Sequence, residues 1–130
     1  MVKTVKLGDR EITLFTFVEY CQAYRYVRKG DCNVRTYIKY IVAKLIAEKI
    51  IEVSPLELYI VYKLLEKGKT SISPLELLKD IVLNMFRKRR HYNGVVTPST
   101  VEKVVKEIQR EIMQNGKEEV LKRYLPEKWF

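Results

Sequence analysis

The sequence predicts a mainly α-helical fold in a single domain of residues 1–130 that opens with a short β-hairpin. Apolar residues recur at the three- and four-residue spacing of helices along most of the chain after residue 16. All five glycines fall between segments with a periodic apolar pattern, helical or alternating, and three of the four prolines directly follow Ser or Thr, as at helix starts. Before residue 16, apolar and polar residues alternate as in a half-buried strand.

The composition fits a globular protein with a polyanionic partner. The chain has 130 residues, of which 47% are hydrophobic and 32% charged, which is enough for one hydrophobic core. Its 25 Lys and Arg against 16 Asp and Glu give a formal net charge of +9. Such a balance favours association with nucleic acid, and a basic surface that serves solubility alone is the simpler alternative.

Neither a signal peptide nor a membrane span is expected. Residues 1–15 contain no continuous apolar core, and charged side chains interrupt the most apolar region of the chain. We therefore expect no membrane association and a cytoplasmic location, in a host cell or virion if the protein is viral.

The residues that usually carry catalysis or bind metals are scarce. Cys21 and Cys32 are too few for a disulfide framework or a zinc site, so we expect small buried side chains, with a disulfide as the alternative. His91 is the single histidine, and the sequence has no Gly-rich phosphate loop and no hydrolase or zinc-protease motif. The sequence therefore predicts no enzyme, no metal and no cofactor.

The first half of the chain is expected to hold the hairpin and two helices. Residues 1–15 form the hairpin around a tight turn. Thr16 and Glu19 have the types and spacing of a capping box at the start of a helix that ends at Gly30. Within the N-terminal helical part, residues 16–53, the stretch 31–53 holds a long helix whose apolar residues run from Val34 to Ile50. This is the most apolar helix of the chain, and we expect it at the centre of the fold.

Residues 54–115 are expected to form three helices, followed by a C-terminal helix and tail at 116–130. The pentapeptide Ser-Pro-Leu-Glu-Leu occurs at 54–58 and again at 73–77. Each copy combines a cap, a helix-start proline and a capping-box glutamate, so each predicts a helix start, and the first of these helices should end at Gly68. Two independent helix starts explain the repeat more simply than a duplicated fold unit.

The third of these helices is the candidate functional element. Thr97 has the type of an N-cap and Pro98 that of a first helical residue. An apolar stripe then recurs at helical spacing and consists of Val101, Val104, Val105, Ile108 and Ile112. The residues expected on the opposite face are Ser99, Thr100, Lys103, Lys106 and Arg110. A basic run precedes the helix and consists of Arg87, Lys88, Arg89 and Arg90.

Residues 56–112 resemble a winged helix-turn-helix domain of the kind found in small archaeal and archaeal-virus proteins. Residues 56–68 are similar to the first helix of that family, residues 73–78 to the start of its second helix, and residues 97–105 to the start of its recognition helix. The link at 87–96 is longer than the tight turn of the family, and the chain after Gly116 has a helical pattern where the family has a wing.

The resemblance implies that the third helix enters the major groove of double-stranded DNA. Ser99, Thr100 and Lys103 would then lie nearest the base edges. Lys106 and Arg110 would lie nearer the phosphates, and the basic run at 87–90 would neutralise backbone charge. A solvated helix end is the alternative interpretation of that run.

The function predicted from these patterns is DNA binding, by a small homodimeric transcriptional regulator or replication accessory. Two alternatives stay open: a structural nucleoprotein or virion subunit that coats DNA without reading sequence, and a protein-interaction module that uses the apolar helix at 34–50. The richness in Lys, Glu, Ile and Tyr resembles small proteins of hyperthermophilic archaea and their viruses. Several of the nine tyrosines lie beside basic residues and could stack on single strands, although half-buried tyrosines are the simpler expectation.

Overall fold

The computed structural model describes residues 2–28, 30–54, 57–62, 72–86 and 96–129 and is mainly helical, with a short N-terminal hairpin. The helices are α1 (Phe17–Val27), α2 (Val34–Ala47), α3 (Pro74–Phe86), α4 (Pro98–Asn115) and α5 (Lys117–Tyr124). The strands are β1 (Val2–Leu7), β2 (Arg10–Phe15), β3 (Ile51–Val53) and β4 (Leu58–Ile60), and a 3₁₀ turn spans Pro126–Lys128. The predicted helical class and hairpin are therefore confirmed. In the part of the chain that the structure describes, every helix is too short or too polar to cross a membrane.

The hairpin packs one face on the helices and leads directly into α1. β1 and β2 pair antiparallel, with Val5 opposite Ile12. This register buries Ile12 and Leu14, because alternate residues of a strand point to the same face. The hydroxyl of Thr16 then accepts a hydrogen bond from the backbone N–H of Glu19 (3.5 Å), which confirms the N-cap predicted from the sequence.

Helix α2 lies at the centre of the fold, as its apolar sequence predicts. It contacts α1, α3, α4, α5 and β3. The side chain of Asn33 caps its first turn by accepting from the N–H of Thr36 (3.0 Å). Its buried residues occupy most of the helix circumference and are Tyr37, Ile38, Tyr40, Ile41, Val42, Ala43, Leu45 and Ile46. The apolar side of this helix is therefore covered by the chain itself.

The long helix predicted within residues 31–53 starts at Val34, where its apolar pattern begins, but it ends before Ile50, where that pattern ends. α2 begins at Val34 and ends at Ala47, where Lys49 adopts a left-handed conformation (φ 60°) that breaks the helical path. The chain then continues as β3, whose Ile51 lies opposite Ile60 of β4 in an antiparallel pair. β-Branched residues fit such a pleated, half-buried surface better than a helix interior.

The helix predicted from residue 56 to Gly68 is also wrong where the structure describes it, because β4 occupies Leu58–Ile60. The Ser54 hydroxyl closes a turn instead of capping a helix: it accepts from the Glu57 N–H (3.0 Å) and donates to the Glu57 carbonyl (2.8 Å). Residues 56 and 63–68 of the predicted helix lie outside the described residues. The segment that resembles the first helix of a helix-turn-helix is thus a strand over residues 58–60.

Cys21 of α1 and Cys32, which precedes α2, form a disulfide with a Cα–Cα distance of 5.3 Å. Both residues are also buried, as the sequence predicts. The bond that the sequence left as an alternative is therefore present, and it ties the middle of α1 to the segment that precedes α2.

The buried aromatic side chains form the part of the core between the hairpin, α1 and α2. Tyr20 stacks on Tyr40 with 4.3 Å between ring centroids, and both are fully buried. Each buried hydroxyl finds a backbone partner: Tyr20 donates to the Tyr124 carbonyl (2.8 Å) and Tyr37 to the Phe15 carbonyl (2.6 Å). These tyrosines are core residues rather than a stacking platform for single strands.

The chain after Gly116 is helical, as predicted, so these residues do not form a wing. α5 packs against α2 and α4. Trp129 then folds back on α1, with its ring 5.9 Å from the rings of both Tyr20 and Tyr24. Trp129 therefore packs against the aromatic part of the core, and Phe130 lies outside the described residues.

Candidate nucleic-acid interface

Helix α4 starts at the residue that the sequence predicts and is held there by reciprocal hydrogen bonds. The Thr97 hydroxyl accepts from the Thr100 N–H (3.2 Å), and the Thr100 hydroxyl accepts from the Thr97 N–H (3.3 Å). Such a cap satisfies two backbone donors that have no partner inside the helix. The predicted apolar stripe faces the core: Val101, Val104, Val105 and Ile108 are buried, and Ile112 is partly buried.

The opposite side of α4 is an exposed surface that carries the cations of the helix. This outer face consists of Ser99, Lys103, Lys106, Arg110, Met113 and Gln114, all of which are exposed. At about 100° per residue, the three cations point roughly 180° away from the centre of the buried stripe. Four of the five α4 residues predicted to face a partner therefore lie together on one surface.

The fifth, Thr100, has a structural role at the start of the helix. It is partly buried, and its hydroxyl is committed to the cap with Thr97. The basic run at 87–90 lies outside the described residues.

Each acidic residue of α4 is bonded to a cation of a neighbouring helix. Glu102 accepts a hydrogen bond from the ammonium of Lys79 on α3 at 2.7 Å. This bond lowers the pKa of Glu102 below its ordinary value, and it raises that of Lys79. The carboxylate next to Lys103 is therefore neutralised from the α3 side.

The two remaining carboxylates are neutralised from the opposite flank. Glu107 pairs with Arg35 of α2 at 2.8 Å, and with Lys39 at 3.6 Å. Glu111 lies 3.0 Å from the Lys39 ammonium and 2.7 Å from the Arg123 guanidinium of α5. These ion pairs fix the rotation of α4 on the core.

The Glu111 carboxylate has a lowered pKa although it is partly buried. Burial by itself raises the pKa of Glu111, but hydrogen bonds from the Tyr124 hydroxyl (2.8 Å), Lys39 and Arg123 outweigh that effect, so the pKa lies below its ordinary value. The same contact acts in the opposite direction on Tyr124, whose pKa is raised by burial first and by Glu111 second.

These contacts make one side of a formally neutral helix positive. α4 contains three acidic and three basic residues. The acids bond to cations of α2, α3 and α5, whereas Lys103, Lys106 and Arg110 form no ion pair with any residue that the structure describes. Viewed down the axis of α4, the side chains of Glu102 and Glu107 point about 140° apart. The three cations project from the arc of helix surface between these two directions.

Helix α5 leaves this surface uncovered among the described residues. It meets α4 through Glu111, near the C-terminal end of α4, while Lys103 and Lys106 remain exposed. The order of the elements in the sequence does not predict where α5 packs, because a helix after Gly116 could equally have covered Lys103 and Lys106.

Sequence reasoning missed two features of the candidate interface. The partners that neutralise the acids come from helices distant in sequence, and no local signal identifies them. Gln114 and Met113, in contrast, lie four and three residues after Arg110, and this spacing places them on the same face of a helix.

Comparison of the chain with protein-family models, with curated proteins and with solved structures gave no match. Among the described residues, no group of three or more His, Cys, Asp or Glu side chains is placed to hold a metal ion.

Proposed function

We propose that this protein binds double-stranded DNA through the outer face of α4. The observation that carries the proposal is the charge separation across this helix, whose acids are bonded inwards while its cations face outwards. A helix with its side chains is about 10–12 Å across, which suits a major groove about 12 Å wide. An open arc flanked by ion pairs would let α4 approach a groove without exposing its acids to phosphates.

The cations of the outer face would provide affinity that depends on salt. Each phosphate neutralised by a Lys or Arg releases condensed counterions, so the logarithm of the binding constant falls with the logarithm of the salt concentration. Lys103 and Arg110 are seven residues apart, or about 10 Å along the helix, so contacts to more than one phosphate are within reach.

A transcriptional regulator or replication accessory is the form of this function that we favour. The protein-interaction alternative required a free apolar face on the helix around residues 34–50, and that face is buried within the chain. A homodimer would place two copies of α4 on half-sites about one helical turn of DNA apart. The dimer stays a prediction, to be checked by sedimentation of the free protein and of its DNA complex.

The test compares two triple variants of the full chain on one duplex at several salt concentrations. Lys103→Ala, Lys106→Ala and Arg110→Ala together should weaken binding and reduce the salt slope by about 2.7, or 0.9 for each lost phosphate contact. The control variant removes the same charge elsewhere, through Lys3→Ala, Arg25→Ala and Lys128→Ala, all at exposed positions. It should leave the slope close to that of the wild type.

Two results would overturn the proposal. One is that the wild-type protein does not bind duplex DNA in dilute buffer. The other is an equal loss of binding and slope in both triple variants, because the positive charge would then act without a defined surface.

The basic run at 87–90 needs its own measurement. Replacing Arg87, Lys88, Arg89 and Arg90 by Ala should also weaken binding and flatten the salt slope, by about the number of lost phosphate contacts. An unchanged slope would exclude this run as a phosphate site while leaving the α4 surface unaffected.

A further inference from the structure

We infer that the C-terminal half of α4 reads base pairs through Arg110 and Gln114, while Lys103 and Lys106 hold phosphates. The inference rests on the proposed binding of duplex DNA by the outer face. It reverses the assignment made from the sequence resemblance, which placed Ser99, Thr100 and Lys103 at the base edges and Arg110 at the backbone.

The N-terminal half of α4 has few side chains that are free to contact base edges. The hydroxyl of Thr100 is committed to the cap with Thr97. The carboxylate of Glu102 is held towards α3 by Lys79. Ser99 therefore offers one hydroxyl, which does not distinguish one base from another.

The C-terminal half carries the two side chains of the outer face that can bond a base edge with two groups at once. An arginine guanidinium matches the O6 and N7 acceptors of guanine, and a glutamine amide matches the N6 and N7 groups of adenine. A lysine ammonium is a compact point charge without this planar geometry. Arg110 and Gln114 are both exposed.

The side chain of Gln114 is available for a ligand, whereas its neighbour is not. Asn115 donates its side-chain amide to the Glu111 carbonyl of the same helix (3.2 Å). The Gln114 side chain makes no hydrogen bond with the described residues. It follows Arg110 by four residues, so the two side chains share a face and are about 6 Å apart along the helix, roughly two base-pair steps.

Met113 gives a second observation for the same end of the helix. It is 65% exposed, and it is the exposed large apolar side chain of α4, which the structure describes throughout. An apolar group gains nothing on a surface that contacts phosphates only. In a major groove it could pack on the methyl group of thymine, which is an apolar group exposed in that groove.

Arg110 and Gln114 also lie on a part of α4 that is held firmly by contacts with neighbouring helices. Glu111, between Arg110 and Gln114, bonds to Lys39 of α2 and to Arg123 and Tyr124 of α5. A site is more selective when neighbouring contacts fix the element that carries it. The ion pairs of Glu111 hold the helix at the angle that directs Arg110 and Gln114 outwards.

The test begins with selection of a preferred duplex from a randomised pool by the full-length protein. Binding of that duplex and of a shuffled duplex is then measured for the wild type and for single variants. Arg110→Lys keeps the charge and Gln114→Ala keeps the helix, so each should lose about ten- to a hundredfold in discrimination while binding the shuffled duplex almost normally. Lys106→Ala should lower the affinity for both duplexes by the same factor.

Matched controls lie on α1, at Arg25→Lys and Gln22→Ala, both at exposed positions. α1 packs on the Tyr37 and Tyr40 side of α2, whereas α4 pairs with Arg35 and Lys39. These two sides of α2 are about 150° apart at 100° per residue. The control variants should therefore discriminate between the duplexes as the wild type does.

The possible results separate this inference from the proposed function. A wild type that binds all duplexes with the same affinity overturns base reading and leaves DNA binding in place. Discrimination that survives both Arg110→Lys and Gln114→Ala but falls in Lys106→Ala also overturns it. A wild type that binds no duplex removes the proposed function and this inference together.

Discussion

Lys79 and Glu102 join α3 to α4 through a 2.7 Å hydrogen bond between the ammonium and the carboxylate. The bond has an electrostatic effect beyond holding two helices together. Without it, the Glu102 carboxylate would lie unpaired beside Lys103 and close enough to Lys106 for the two charges to interact. A free carboxylate at that position would repel the phosphates that the outer face of α4 is proposed to bind.

The first prediction follows from that pair. Lys79→Ala should weaken duplex binding by about twofold in dilute buffer, because one unpaired negative charge then faces the DNA. The double variant Lys79→Ala with Glu102→Gln should restore binding to the wild-type level. Titration of one labelled duplex with the three proteins is the measurement, and failure of the double variant to recover would contradict the electrostatic role of Lys79.

The second prediction concerns the stability provided by Glu111. Its folded-state pKa lies below the ordinary value of 4.5, so its contribution is present above pH 4.5 and is lost as the pH falls through the folded pKa. At pH 7, Glu111→Gln should lower the free energy of unfolding by about 1–2 kcal/mol, because a partly buried set of charged hydrogen bonds is broken. Towards pH 3, the difference from the wild type should shrink.

Urea unfolding at several pH values measures this effect. Glu118→Gln is a suitable control, because Glu118 is an exposed acid of α5 without an ion pair to the described residues. A difference between wild type and Glu111→Gln that does not change with pH would show that the variant acts through packing.

The third prediction concerns the disulfide. Cys21 and Cys32 are 11 residues apart, and closing a loop of that length in the unfolded chain should stabilise the fold by about 3 kcal/mol. The double variant Cys21→Ser with Cys32→Ser should lose this amount in urea unfolding. A reductant should destabilise the wild type similarly and leave the double variant unchanged. Equal stability of the oxidised wild type and the double variant would contradict the prediction.

The two copies of Ser-Pro-Leu-Glu-Leu show why part of the fold escaped prediction. In both copies, a serine hydroxyl accepts from the N–H of the glutamate three residues later, at Ser54 (3.0 Å) and at Ser73 (3.1 Å). This bond suits a turn as well as a helix start. The first copy leads into β4 and the second into α3. The first copy becomes part of a strand because Ile60 pairs with Ile51 of β3, and no local sequence pattern specifies this pairing.

Features that depend on contacts within one helix could be predicted from the sequence. Features that depend on contacts between elements distant in sequence could not. The start of α4 at Thr97 and its buried valines follow from capping and periodicity, which act within one helix. The partners of its acids come from α2, α3 and α5, so the sequence showed the cations of the candidate interface but not their separation from the anions. The pairing of Cys21 with Cys32 likewise depends on how α1 packs beside α2.

The last prediction uses the buried tyrosines. Burial raises the pKa values of Tyr20, Tyr40 and Tyr124 well above the ordinary value of 10. Because the folded-state pKa values exceed those of the unfolded chain, the stability linked to these groups is present below pH 10 and is lost as the pH rises above it. The folded protein should therefore become less stable in alkali, and these three side chains should ionise only when it unfolds.

Tyrosinate absorbance during an alkaline titration measures this directly. In the folded protein it should reach a plateau that is short of the nine tyrosines of the chain, and it should rise to the full value in urea at the same pH. Tyr20→Phe keeps the ring that stacks on Tyr40 but loses the bond to the Tyr124 carbonyl, so it should cost about 1 kcal/mol at neutral pH. It should also weaken the alkaline loss of stability, because one of the three groups is removed. Full ionisation of all nine tyrosines before any unfolding signal would contradict the buried arrangement of this core.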